Sequence, residues 1–186
     1  MRLFIAIAIP DDVRNALAQF IEELRGVAPK AKWVRAENLH ITLKFLGETD
    51  AAKLPAIQKG LASISHMEPV SFSFHGLGFF PNERYPRVFW VGMETSVKLI
   101  LLAEAIDEAM NELGFPLEKR AFTPHLTLAR FDASGMPAQL ADAAEQNEHR
   151  IFGSLTTNEF HLIESKLKPA GAEYTTIQSF PFSAGT

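Results

Sequence analysis

The chain has 186 residues, 47% of them hydrophobic and 22% charged, with a formal net charge of −4 and no cysteine. That length suits one compact domain burying roughly 70% of the surface its unfolded form exposes, and the composition excludes a disordered chain. The negative balance excludes a global basic field that would recruit nucleic acid, so an anionic substrate must be held by a local cluster of cations. Without cysteine there are no disulfides, no thiolate nucleophile and no thiolate metal site, which suits a reducing cytoplasm, the expected location.

Residues 3–9 form an apolar run stopped by Pro10, Asp11 and Asp12. A run so far below the roughly 20 residues of a membrane span reads as a buried strand. No signal-peptide cleavage pattern follows it, and no membrane association is expected. A helix capped by Asp11 or Asp12 comes next, with Val13, Leu17, Ile21 and Leu24 on its inner face. A basic loop holding Lys30, Lys32, Trp33 and Arg35 then leads into a strand around His40. Leu54, Ile57, Leu61 and Ile64 keep helical spacing, with Pro55 near the start, and residues 70–80 read as a strand.

The same order then repeats. Residues 87–92 predict a strand. A helix capped by Thr95 or Ser96 follows, its inner face formed by Val97, Ile100, Leu101, Met110 and Leu113 and its end marked by Gly114 and Pro116. Lys119 and Arg120 precede a second strand around His125. A weaker alanine-rich helix is expected over 137–149, and strands over 160–165 and 174–180. The pattern is β-α-β-α-β twice with extra pairing strands. It predicts one α+β domain with antiparallel-rich sheets, whose two lobes are the pseudo-twofold-related halves 1–85 and 86–186.

The most informative repeat is short. Residues 35–43 (RAENLHITL) and 120–128 (RAFTPHLTL) match at five of nine positions, 85 residues apart, and each carries His-x-Thr. On a strand, residues i and i+2 share a face. His40 with Thr42, and His125 with Thr127, therefore project together, while Ile41, Leu43, Phe45, Leu126 and Leu128 face the core. A pseudo-twofold axis brings two imidazoles and two hydroxyls around one pocket. Such a pocket suits a phosphodiester, because one imidazole can take a proton while the other gives one, and the hydroxyls can donate to non-bridging oxygens. This arrangement requires no metal and no cofactor, and no histidine has a zinc-site spacing.

With these motifs placed, the chain resembles the two-histidine phosphoesterase superfamily, in particular its RNA 2′,3′-cyclic phosphodiesterase (2′-5′ RNA ligase-like) branch. The likeness runs end to end, through LFIAIAIPDD, NLHITLKFLGE, PRVFWVG and TPHLTLARF to Ser165, Gly171 and Tyr174. It implies a bilobal fold with the active site in a central cleft. It also implies hydrolysis of RNA 2′,3′-cyclic phosphate ends to 2′-phosphates, with His40 as proton donor, His125 as proton acceptor and Thr42 and Thr127 orienting the phosphate. The residues alone do not decide which histidine is the acid. Arg130 matches the arginine that commonly follows the family's second motif. Strict alternation nevertheless places it on the core side, unless a bulge turns it back.

Lys44 shares the predicted face of His40 and Thr42 and reads as a solvated strand lysine before a phosphate ligand. The basic groups around Trp33 suit single-stranded RNA, through backbone charge and base stacking, or a plain solvated loop. His75, His161, His66 and His149 are assigned structural or surface roles. The partners expected are RNA or nucleotide cyclic-phosphate ends, with the chain a monomer. Two rival functions remain open: 2′-5′ RNA ligation, which is the reverse reaction, and a non-catalytic RNA-end-binding module whose affinity would survive loss of both histidines.

Overall fold

The strand β1 (Arg2–Ala8) is buried from Leu3 to Ile7 on both of its faces. It is the organising element of the first sheet in this computed structural model, which describes residues 1–64, 67–95, 97–132, 137–169 and 171–182. The other elements, in chain order, are α1 (Asp11–Arg25), β2 (Lys32–Trp33), β3 (His40–Glu48), α2 (Leu54–Ala62), β4 (Val70–Phe80), β5 (Val88–Thr95), α3 (Val97–Glu112), β6 (His125–Arg130), α4 (Ala138–Gln146), β7 (Ile151–Thr157), β8 (Glu159–Lys168) and β9 (Gly171–Pro181). No helix among the described residues is long and apolar enough to cross a membrane.

Two antiparallel sheets result, ordered β3-β1-β8-β9 and β2-β6-β5-β4-β7. The α+β class and the duplicated pattern match the expectation, and each sheet draws strands from both halves of the chain. The first sheet takes β8 and β9 from the second half, and the second sheet takes β2 and β4 from the first. Strand β4 finds its partner in β5, directly after it in sequence, because a short connection favours an antiparallel pair between neighbours. The lobes therefore exchange strands. Strand β2, only two residues long, and the weakly patterned β7 are not apparent from the sequence.

One apolar cluster joins Leu3, Ile5 and Ile7 of β1 to Phe74, Phe89, Leu126 and the inner faces of the helices. In α1, Val13, Leu17, Phe20, Ile21 and Leu24 are buried as the spacing predicts. Neither Asp11 nor Asp12 caps it: the N-cap is Pro10, and Asp11 instead pairs with Arg14. In α3 the inner face is Leu99, Leu102, Ala103, Ile106 and Met110, while Val97 and Leu101 are 63% and 51% exposed. The run from Leu99 to Leu102 offers two apolar stripes, and the one that is buried places Asp107 against Lys44. Of the two caps expected for α3, Ser96 and the side chain of Thr95 lie outside the described residues, as does His66.

Lys44 is not a solvated strand lysine. Its side chain is 1% exposed and ion-paired with Asp107 of α3, and its Nζ donates to the carbonyl of Pro116 at 2.9 Å. Asp107 in turn accepts from the Glu118 amide at 3.0 Å. The pair thus fastens β3 to α3 and to the segment that leads into β6. Asp107→Ala, which leaves the buried ammonium only the more distant and exposed Glu118 carboxylate at 4.0 Å, is expected to cost about 3 kcal/mol. Lys44→Met, which removes the buried charge itself, is expected to cost less. Urea denaturation of both variants measures the order.

Candidate active site

The two motif strands share an irregularity. Along β1, Ile5 stands opposite Lys44 and Ala6 opposite Thr42, so Leu43 has no partner of its own. Along β5, Phe89 stands opposite Ala129 and Trp90 opposite Thr127, so Leu128 is skipped in the same way. Each motif strand carries an extra residue at this equivalent position, β3 having a second further on at Leu46, and a bulge of this kind reverses the parity of the residues that follow it. Lys44 turns inward for this reason. Phe45, expected in the core, is 56% exposed on the face of His40. Arg130 shares the face of His125 and Thr127, and the open question of its direction is answered by the bulge.

Strands β3 and β6 adjoin where the two sheets meet. The chain makes this junction itself: β2 pairs with β6, the Val34 amide donates to Leu128 O at 2.8 Å, and a short helical turn (Ala36–Asn38) delivers the backbone into β3. Trp33 belongs to this junction. Its Nε1 donates to Ala28 O at 3.1 Å, and its ring meets Phe89 edge-on at 6.2 Å. These contacts fix the indole as part of the junction, half-buried against the core.

Both imidazoles are held identically. His40 Nδ1 lies 2.6 Å from Asn38 O, and His125 Nδ1 lies 2.8 Å from Thr123 O. A carbonyl only accepts, so each Nδ1 carries the hydrogen and each Nε2 is left to act as base when neutral or as acid when charged. Asn38 is itself anchored, its Nδ2 donating to Ala172 O at 2.8 Å. Aromatic rings fix the planes. His40 packs on Phe4 at 4.8 Å and edge-on to Tyr174 at 5.2 Å. His125 stands edge-on to Phe80 at 4.9 Å and to Trp90 at 6.5 Å.

The walls of the site depend on two glycines. Gly76, at φ +72°, forms a further bulge in β4 that turns Phe80 toward His125. The Trp90 indole lies against Gly78, where a Cβ would stand 2.3 Å from Trp90 Cζ2. Tyr174 joins the site from β9, across β8 and β1, and no local spacing relates it to His40. His161 shares a face of the first sheet with Thr42, both standing opposite Ala6, and its Nδ1 is 2.9 Å from Ser179 Oγ.

Electrostatics ties the parts together. Burial holds both His40 and His125 below the ordinary histidine pKa. The carbonyls of Asn38 and Thr123 oppose this, and the Arg130 guanidinium lowers both further. Burial raises the Tyr174 hydroxyl, against the pull of Arg130 and Arg2. One cation thus acts on residues of both motifs and both sheets. Thr42 and Thr127, both half-buried, stand beside their histidines on this face. The Arg130 charge thus reaches both histidines, and each threonine shares the strand face of its own histidine. Among the described residues, no group of three or more His, Asp or Glu side chains is arranged to hold a metal ion.

The family model for LigT-like phosphoesterases matches this chain twice in succession, over residues 7–90 and 91–174. The chain belongs to the LigT-like phosphoesterase family. It is 37% identical over 180 residues to an Archaeoglobus fulgidus protein named RNA 2′,3′-cyclic phosphodiesterase, a match spanning 97% of this chain and 99% of that one. Among solved structures, the Thermus thermophilus protein TT0787 superposes with a TM-score of 0.82 at 32% identity, over all of both chains. Escherichia coli LigT, solved with 3′-AMP, superposes at 0.76 with 29% identity, over 98% of each. The boundary between the two family matches falls inside β5, so each match contains one bulged motif strand.

Arg130→Gln removes the charge that disfavours both imidazolium forms. The pKa values of His40 and His125 are then expected to rise together toward the ordinary histidine value, as read by NMR titration of the ring protons. A rise confined to His125 would mean that the guanidinium does not bridge the motifs.

Proposed function

We propose that this LigT-like phosphoesterase hydrolyses RNA 2′,3′-cyclic phosphate ends to 2′-phosphates by paired histidine acid–base catalysis. The observation that carries this reading is the pair of imidazoles whose Nδ1 atoms are spent on carbonyls, leaving two Nε2 atoms for proton transfer within the field of one guanidinium. Full-length relatives named RNA 2′,3′-cyclic phosphodiesterase support the choice of substrate.

In this mechanism neutral His125 takes a proton from water through Nε2 as the water oxygen bonds to phosphorus. His40, protonated at Nε2, gives its proton to the departing 3′ oxygen, so the P–O3′ bond breaks and the 2′-phosphate remains. Thr42 and Thr127 donate to non-bridging oxygens, and Arg130 balances the charge that builds on them. The starting protonation state follows from the site. With both pKa values lowered, the free enzyme favours two neutral imidazoles near neutral pH, and an arriving phosphate anion favours uptake of the one proton the reaction needs. Solvent exchange afterwards returns each histidine to its first state. The assignment of donor and acceptor rests on family resemblance, since the two histidines are held alike.

His40→Ala and His125→Ala are each expected to lower kcat on a nucleoside 2′,3′-cyclic phosphate by about 10²–10⁴-fold. The wild-type profile of kcat/KM against pH should be a bell displaced to the acid side of the ordinary histidine pKa, because burial lowers both groups. Each variant should lose a different limb. Turnover by both variants at the wild-type rate would contradict the proposal, as would binding without turnover by the wild type.

A further inference from the structure

The register between β2 and β6 places Lys32 directly opposite Arg130. Directly opposed residues of an antiparallel pair share a face, with Cβ atoms about 5 Å apart. Since the Leu128 bulge turns Arg130 to the side of His125 and Thr127, Lys32 stands on that side too, next in the row beyond Arg130. Its neighbour Trp33, opposite Ala129, points the other way into the core. Both cations are exposed, and among the described residues no carboxylate lies within ion-pair distance of either. Two like charges opposite each other on a sheet are destabilising unless an anion lies between them, and this chain carries a net charge of −4. The pair is therefore a local pairing of cations in a chain without a net basic field.

The pseudo-equivalent place in the other sheet is built differently. Phe45 occupies the position of Arg130, and β3 is an edge strand with nothing paired outside it. The second sheet extends its cationic row beyond the catalytic motif through the two residues of β2, whereas the first sheet's cation, Arg2, stands in the row of Ser165 and Tyr174 and not beside its motif strand. An anionic chain leaving the reacting phosphate along the second sheet therefore meets a second positive charge directly beside Arg130.

We infer that Lys32 binds the phosphodiester on the 5′ side of the reacting cyclic phosphate, with Arg130 standing between the two anions. This rests on the phosphodiesterase reading above and deepens it. The preferred substrate is then an oligonucleotide end, and the direction in which the strand leaves the site is set by β2.

The test compares a nucleoside 2′,3′-cyclic phosphate with a dinucleotide ending in the same group, which adds one phosphodiester. In Lys32→Ala the ratio of kcat/KM for the dinucleotide over the mononucleotide is expected to fall about fivefold at low ionic strength, through KM, as for loss of one exposed ion pair. Lys32→Arg should restore it. The slope of log(kcat/KM) against log salt on the dinucleotide should become shallower by about 0.7 in Lys32→Ala, the value for one phosphate contact on a single strand. A ratio unchanged in Lys32→Ala, whether both rates hold or both fall, overturns the inference. A wild-type protein that opens neither cyclic phosphate instead overturns the phosphodiesterase reading itself.

Discussion

Everything at this site depends on the bulge that follows the His-x-Thr pair in each motif strand. With ideal alternation, His40 and Thr42 would share their face with a charged Lys44, and Arg130 would be driven into the core behind His125. Skipping Leu43 and Leu128 in the pairing reverses both outcomes. The bulge follows the His-x-Thr pair and leaves it undisturbed, while the residue three places beyond the threonine is brought to the same face. Equivalent bulges at equivalent positions mean that the duplication carried a backbone conformation as well as a set of side chains.

The two copies then differ where the bulge points. In the outward position, the first copy has Phe45 and the second Arg130. In the inward position, the first has Lys44 and the second Ala129. The inward lysine ties β3 to α3 and to the segment before β6, so the pseudo-symmetric halves are joined by an asymmetric contact. The outward arginine supplies the only side of the site with a guanidinium on a motif strand. A symmetric pair of histidines is thereby placed in an asymmetric field, which suits a reaction in which one oxygen arrives and another leaves.

Much of this was legible in the sequence. The His-x-Thr pairs, the helices from periodic Val13, Leu17, Ile21 and Leu24, and the strand at residues 70–80 all follow from local spacing. What was not legible depends on pairing between distant strands. The direction of Lys44 and Phe45 needs the register with β1. The inner face of α3 needs Asp107 to find Lys44, and the strand exchange between lobes needs β4 to choose β5. Tyr174 reaches His40 only because β9, β8 and β1 lie side by side. Alternation along a strand is a local property, whereas a bulge is set by two strands together.

The central claim is that both imidazoles act on one phosphate. It is tested most directly by titrating protein labelled with ¹⁵N-histidine with adenosine 2′-phosphate, a product of the proposed reaction. The account predicts that the Nε2 resonances of His40 and His125 both shift and saturate together at one equivalent, with a single Kd, while both Nδ1 atoms stay protonated. A response from only one of the two histidines, or two separate saturations, would contradict it.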